Sequence, residues 1–222
     1  MTARLLVFDI DGTLVDSQVQ ICAAMAHAFE MHGLDCPPRG RVLSIVGLSL
    51  PQAIAALLPQ ADAALHEDLV GAYRESFASL RAQTLSPLYP GARQLLERLS
   101  GHPDLILGVA TGKSRRGLEH VIAAHALGGL FRTMQVADDH PSKPDPTMLR
   151  AALGETGIDP SRAAMIGDTT FDIAMGRAAG TRTLGVAWGY HAPTALQQAG
   201  ADLVVDSFDA LGAALDRLWE HA

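Results

Sequence analysis

The sequence predicts an α/β fold: a doubly wound, parallel-sheet core of the Rossmann-like kind that carries an inserted α-helical domain. Three observations lead there. Short apolar runs recur along the chain, helical stretches alternate with the later runs, and one long helical segment interrupts that alternation after the first run.

The apolar runs cover residues 5–8, 105–110, 133–137, 163–166, 183–187 and 203–205. They show little polar alternation, which is the pattern of strands buried on both faces. Helical stretches at 115–124, 146–155, 171–179, 194–198 and 209–219 separate or follow the later runs. Strand alternating with helix implies right-handed crossovers and a parallel sheet covered on both sides.

After Leu14 no strand is expected until Leu105. From about Ser17 to Leu80 the apolar residues keep helical spacing: Ile21, Met25, Ala28 and Phe29, then Ile54, Leu57 and Leu58, then Leu65, Leu69, Tyr73 and Phe77. Residues 85–91, with two prolines and a glycine, form a return linker. The chain therefore divides into a core of residues 1–16 and 85–222 and a helical insertion of residues 17–84. Ligands of open α/β sheets bind beyond the carboxyl ends of the strands, so an insertion leaving from there is placed to form a lid.

Composition excludes several classes. With 48% hydrophobic and 18% charged residues the 222-residue chain is too apolar for disorder. A net charge of -7 gives no electrostatic footprint for nucleic acid and no general attraction to anionic membranes. Cys22 and Cys36 are too few for a disulfide scaffold and lack the spacing of a metal site, so they read as reduced thiols. Charge at Arg4 comes too early for a signal peptide, and no apolar run approaches the roughly 20 residues of a membrane span. A soluble cytoplasmic protein, monomer or homodimer, is expected.

Asp9-Ile10-Asp11-Gly12-Thr13-Leu14-Val15-Asp16-Ser17 closes the first strand. Side chains two apart on extended backbone point the same way, so Asp9 and Asp11 can face one site before Gly12 turns the chain. Paired carboxylates bind a metal, or one serves as nucleophile while the other carries a proton. Asp168 follows the strand at 163–166, and Asp172 lies four residues on, where a helix begins. Asp168 is expected to be a metal ligand. Asp172 has two readings, a further ligand or a helix cap. Magnesium fits such a set, because it takes oxygen ligands and keeps water and substrate phosphate in its shell.

Thr111-Gly112-Lys113-Ser114 follows the second long strand, where a hydroxyl and a free backbone N–H suit a phosphate oxygen or cap a helix. The chain has only two lysines, Lys113 and Lys143, against fifteen arginines. Lysine in Pro141-Ser142-Lys143-Pro144-Asp145-Pro146 points to a place that needs a compact ammonium, where arginine's planar fork would crowd the site. The role of Lys113 stays open between a site residue and a surface lysine.

Four motifs in this order, each at a strand's carboxyl end, resemble the haloacid dehalogenase superfamily of phosphohydrolases. The D-x-D-G-T motif is matched by Asp9 to Thr13, the Ser/Thr motif by Thr111, the lysine by Lys143 and the acidic pair by Asp168 and Asp172. The insertion is similar to the superfamily's small α-helical cap domain. The opening motif, the segment Ile45-Val46-Gly47-Leu48 and the K-P-D-P turn look most like the phosphoglycolate phosphatase branch. Members of that branch often carry Asn where this chain has Gly112. Asp11 argues against the dehalogenase and phosphonate-cleaving branches, which lack it.

The resemblance implies a magnesium-dependent phosphatase acting on a small phosphorylated metabolite through an aspartyl-phosphate. Asp9 would be the nucleophile and Asp11 the general acid and base. Magnesium would be held by the carboxylates of Asp9 and Asp168 and the backbone carbonyl of Asp11. Thr111, the Gly112 N–H and Lys143 would bind phosphoryl oxygens, with Lys143 also holding Asp9 and Asp172 acting from behind. A phosphomutase of the same family is the alternative, and a non-catalytic phosphate-binding module a second. The cap's basic residues Arg39, Arg41, His66, Arg74 and Arg81 would bear on the choice, but sequence does not place them.

Overall fold

Strand β1 (Arg4–Phe8) is buried along all but its first residue and sits in the middle of the sheet. The computed structural model describes residues 3–218. After β1 come four helices, α1 (Gln18–Met31), α2 (Arg39–Leu43), α3 (Leu50–Leu57) and α4 (Ala63–Gln83). Then follow α5 (Ala92–Ser100), β2 (Leu105–Thr111), α6 (Arg115–Ala124), β3 (Thr133–Val136), α7 (Thr147–Thr156) and, after a short 3-10 turn, β4 (Ala163–Gly167). The chain continues through α8 (Thr170–Ala179), β5 (Arg182–Val186), α9 (Pro193–Gln198), β6 (Leu203–Val205) and α10 (Phe208–Arg217). Of the final helix expected at 209–219, Trp219 lies outside the described residues.

All strand pairs are parallel, in the order β3-β2-β1-β4-β5-β6. The chain builds outward from β1 on one side, then returns to build outward on the other, so the topological switch falls between β1 and β4. Side chains along β1 alternate between two layers. Leu6 and Phe8 join the core made with α5, α6 and α10, including Leu96, Leu118 and Leu211. Leu5 and Val7 join the opposite core with Met148 and Leu149 of α7 and Met175 of α8. Helices cover both faces, which is why the strands read as unbroken apolar runs.

Helix α5 is absent from the expected elements, which leave residues 92–104 unassigned between the return linker and β2. Ala92, Leu95, Leu96 and Leu99 are its buried residues, at helical spacing. Its nine residues were too short a pattern to stand out between a Pro-Gly turn and a strand.

The four insertion helices close around an apolar core of their own, with Met25, Phe29, Ile54 and Leu69 at its centre. Two connecting segments join this cap domain to the sheet, and they pair with each other. Tyr89 N–H donates to the Leu14 carbonyl and Asp16 N–H to the Pro87 carbonyl, both at 2.9 Å. Exit and return thus form one hinge beside the carboxyl end of β1.

Candidate active site

The parallel register brings the first and fourth motifs together. Phe8 pairs with Ile166, and Asp9 N–H donates to the Ile166 carbonyl at 2.9 Å, so Asp9 and Asp168 emerge from neighbouring strand ends at the switch point. Gly12 makes the next turn possible. Its φ is +84°, and a Cβ there would stand 2.2 Å from Oδ2 of Asp168. Thr13 Oγ1 donates to Asp168 Oδ1 at 2.8 Å, and the Tyr190 backbone N–H donates to Oδ2 at 2.8 Å. The carboxylate is fully buried and held from both sides.

Oxygens of Asp9, Asp168 and Asp172 lie within 4.8 Å of one another. Lys143, also without solvent exposure, sits among them, its Nζ 3.0 Å from Asp9 Oδ1 and 2.6 Å from Asp172 Oδ1. The other oxygen of Asp172 accepts from the backbone and hydroxyl of Thr169, whose own hydroxyl caps α8. Asp172 therefore takes its cap reading, closing the capping box of α8, and its other oxygen also holds Lys143. The oxygens of Asp9 are different. Both are buried and neither accepts a hydrogen bond of good geometry.

Three carboxylates and one ammonium leave negative charge uncompensated, and the acidities record it. Burial pushes Asp9 up to about 7, with Lys143 opposing the rise and Asp172 and Asp11 adding to it. Burial, followed by Asp172 and Asp9, raises Asp168 well above the carboxylate range. Burial works against the charge of Lys143, but Asp172 and Asp9 outweigh it and hold the ammonium above its usual value. Orphaned oxygens on Asp9, an oxygen-only donor set and excess negative charge together fit a hard divalent cation. Asp9 and Asp168 have the oxygens placed to hold it.

The carboxylate of Asp11 lies outside that cluster. It accepts from Lys113 Nζ at 2.8 Å on Oδ1, with 2.7 Å to Oδ2, and from the hydroxyl of Ser17. Ser17 Oγ in turn lies 3.1 Å from the hydroxyl of Tyr190. Lys113 is thus a site residue, nearly buried, with its ammonium 5.2 Å from the ring centroid of Phe77 in the cap. Thr111, the last residue of β2, is buried, and its hydroxyl accepts from the Lys113 N–H at 3.3 Å.

The cap closes over these groups. Ser49 N–H donates to Ser142 Oγ at 2.7 Å, and His191 Nε2 stands 3.1 Å from the Ser44 carbonyl oxygen. A cavity of about 360 Å³ remains between cap and core. Asp9, Asp11, Thr111, Gly112 and Lys113 line its core side, and Ile45, Val46 and Phe77 belong to its cap side. Sequence reasoning missed Ser17, Thr13 and Tyr190 as partners of the acidic residues. Ser17 and Thr13 sat inside the quoted motif without a role. Tyr190 carried only one signal, its place just after a strand's carboxyl end.

A family model described as haloacid dehalogenase-like hydrolase matches residues 6–186. The chain is 34% identical over 226 residues to the N-acetylmuramic acid 6-phosphate phosphatase of Pseudomonas aeruginosa, covering 98% of this chain and 96% of that protein. It is 32% identical over 213 residues to a phosphoglycolate phosphatase of Haemophilus influenzae, covering 92% and 95%. Among solved structures, a hydrolase from Pseudomonas syringae superposes with a TM-score of 0.86 at 25% identity, covering 97% and 99%.

The raised acidity of Asp9 fixes a pH dependence. In metal-free protein, folded Asp9 keeps its proton to about pH 7, whereas unfolded aspartate releases it near 3.8. This group's contribution to stability is therefore full below the unfolded value and is lost as pH rises towards 7. Asp9→Asn cannot ionise, so its stability gain over wild type should grow between pH 5 and 7.5 in urea titrations with EDTA. A gain independent of pH would contradict the buried, unbonded state of Asp9. Lys143→Met removes the one ammonium from the cluster and should cost about 3–5 kcal/mol in the same titrations at pH 8. A loss below about 1 kcal/mol would show that Lys143 does not balance these carboxylates.

Proposed function

The chain belongs to the haloacid dehalogenase-like hydrolase family and is a phosphatase, and we propose that it hydrolyses a small phosphate monoester of the phosphoglycolate or sugar phosphate kind with magnesium as its cofactor. One observation carries the reading. Asp9 presents two buried oxygens without hydrogen bonds to the cavity beneath the cap, beside a lysine and a second carboxylate. Such a carboxylate is desolvated and free to attack.

An Asp9 oxygen attacks phosphorus in line, and the bond from phosphorus to the leaving oxygen breaks as the new one forms. Asp11 protonates that leaving oxygen, then takes a proton from the water that opens the acyl-phosphate. Lys113 and Ser17 hold the Asp11 carboxylate apart from the Asp9 cluster, which keeps the nucleophile and the proton carrier in separate places. Lys143, steadied by Asp172, orients Asp9 and offers a donor to a phosphoryl oxygen. The Thr111 hydroxyl and the Gly112 N–H take the remaining oxygens, and the Ser49–Ser142 and Ser44–His191 contacts keep bulk water out.

Magnesium, bound by the carboxylates of Asp9 and Asp168 and the backbone carbonyl of Asp11, would neutralise charge shared between the nucleophile and the phosphoryl oxygens. Two anions about 4 Å apart at an effective dielectric near 20 repel by on the order of 4 kcal/mol. That is roughly three orders of magnitude in rate.

Both named relatives above 30% identity are phosphatases, which favours water over a sugar hydroxyl as acceptor. A binding module without turnover would not need Asp9, Asp11, Thr111 and Lys143 gathered at one place. The same reading divides the chain at 16/17 and 84/85, supported by the separate apolar core of the insertion and the paired segments at its root. It places the protein in the cytoplasm, where the free thiols of Cys22 and Cys36 would stay reduced.

Phosphate release from a panel of small esters with magnesium tests this function. Asp9→Asn should lose at least a thousandfold in kcat while keeping its fold by circular dichroism. Near wild-type turnover by that variant would remove the covalent step. Asp11→Asn should lose far more with alkyl phosphates than with aryl phosphates whose leaving group needs no proton. Equal losses on both would deny Asp11 the acid role.

A further inference from the structure

Of the cap's basic residues, three point away from the cavity's business. Arg39 donates to Gln18, Arg41 to the Ala56 carbonyl, and His66 Nε2 meets the Leu58 carbonyl. Arg74 and Arg81 instead line the cavity, and Arg116 of α6 lines it from the core. Among the described residues none of these three guanidinium groups has a hydrogen bond or an ion pair. Core arginines elsewhere do: Arg98 pairs with Asp216 at 2.9 Å and Arg115 with Asp139 at 2.5 Å.

Arg81 of α4 in the cap and Arg116 of α6 in the core line the same cavity. Burial first, and the Arg116 charge second, disfavour the charged form of Arg81. His120 is lowered by burial, then by Arg81 and Lys113, so a third basic group feels the same field. The acids that line the cavity do not relieve it. Asp9 and Asp11 each face a lysine ammonium, at 3.0 Å from Lys143 and 2.7 Å from Lys113, and Asp138 accepts the Arg115 backbone N–H at 2.8 Å and makes no ion pair with the three arginines. Like charges brought together without a counter-ion cost free energy that a bound anion returns.

We infer that Arg81 and Arg116, with Arg74 beside them, form a subsite for a second anionic group on the substrate, a carboxylate or a second phosphate. That subsite presupposes the phosphatase activity proposed above and narrows its substrate class. The transferred phosphoryl group meets Asp9 and Lys143, while the far end of the same small molecule meets guanidinium groups from both cap and core. Recognition would then also draw the cap shut, because Arg81 and Arg116 belong to different domains.

The test compares kcat/KM for glucose 6-phosphate, whose body is neutral, with phosphoglycolate and with a sugar bisphosphate. Wild type should prefer at least one of the doubly anionic esters by tenfold or more, and which one distinguishes carboxylate from phosphate. Arg81→Ala/Arg116→Ala should shrink that preference by about ten- to a hundredfold, mainly through KM, with partial rescue by Arg81→Lys. Binding of phosphonoacetate against methylphosphonate, by calorimetry, reads the subsite without turnover. The double variant should lose the advantage of the carboxylate-bearing probe. An equal drop on every ester and no change in the binding ratio would overturn the subsite while leaving the phosphatase standing. No turnover by wild type on any ester, with the phosphonoacetate advantage intact and arginine-dependent, would instead sink the phosphatase and keep the anion site.

Discussion

The structure turns on a charge imbalance buried at the carboxyl ends of β1 and β4. Asp9, Asp168 and Asp172 are all withdrawn from water, and one ammonium, Lys143, stands against them. Burying a carboxylate is costly unless its charge is matched, and the sheet concentrates three of them where two strands diverge. Almost every polar contact nearby serves that imbalance. Thr13 and the Tyr190 N–H hold Asp168, and Thr169 and Lys143 hold Asp172. Of the three, Asp9 alone has oxygens that accept no hydrogen bond, with the Lys143 ammonium 3.0 Å from one of them, which makes it both the least comfortable member and the one with unused bonding capacity.

That arrangement depends on register. A parallel β1–β4 pair places Asp9 opposite Gly167, one residue before Asp168, and glycine at position 167 leaves room for Asp172, since a Cβ there would lie 2.3 Å from its carboxylate carbon. Slipping the pairing by one residue would send side chains to opposite faces of the sheet and scatter the cluster. The apolar alternation of Leu5 and Val7 against Leu6 and Phe8 fixes the register by filling two different cores. Packing far from the site thus decides the distances within it.

Much of this was legible in the sequence, for a reason that the same residues explain. Buried parallel strands must be apolar, so β1, β2 and β4 announced themselves, and the acidic motifs could be placed at their ends. Helix α6 was read to the residue because its cap and its period agree. What stayed hidden was contact over distance. Nothing local to Lys113 says that its ammonium meets Asp11, 102 residues away, or that Tyr190 supports Asp168 through a backbone N–H. Helix α5 was hidden for the opposite reason, a short pattern beside strong turn signals. The cap arginines were visible as residues but not as a group, since only tertiary structure separates Arg81 from Arg39.

Gly112 shows how one departure from a family pattern acquires a physical meaning. The branch that the motifs resemble often carries asparagine at this position, a side-chain donor that glycine lacks. In the folded chain a Cβ at this position would stand 2.6 Å from the Leu48 carbonyl oxygen and 2.7 Å from that of Gly47. Any side chain would therefore push the cap away from the core at the point where the cavity closes. Glycine exchanges a possible side-chain contact for a tighter seal by the cap backbone, and the space vacated is filled by residues 47 and 48 themselves. A seal of that kind raises the worth of every charge inside, because excluding water lowers the local dielectric around Asp9 and its partners. The same closeness obliges the substrate to be small, and it leaves selection to whatever charged groups reach the cavity from its rim.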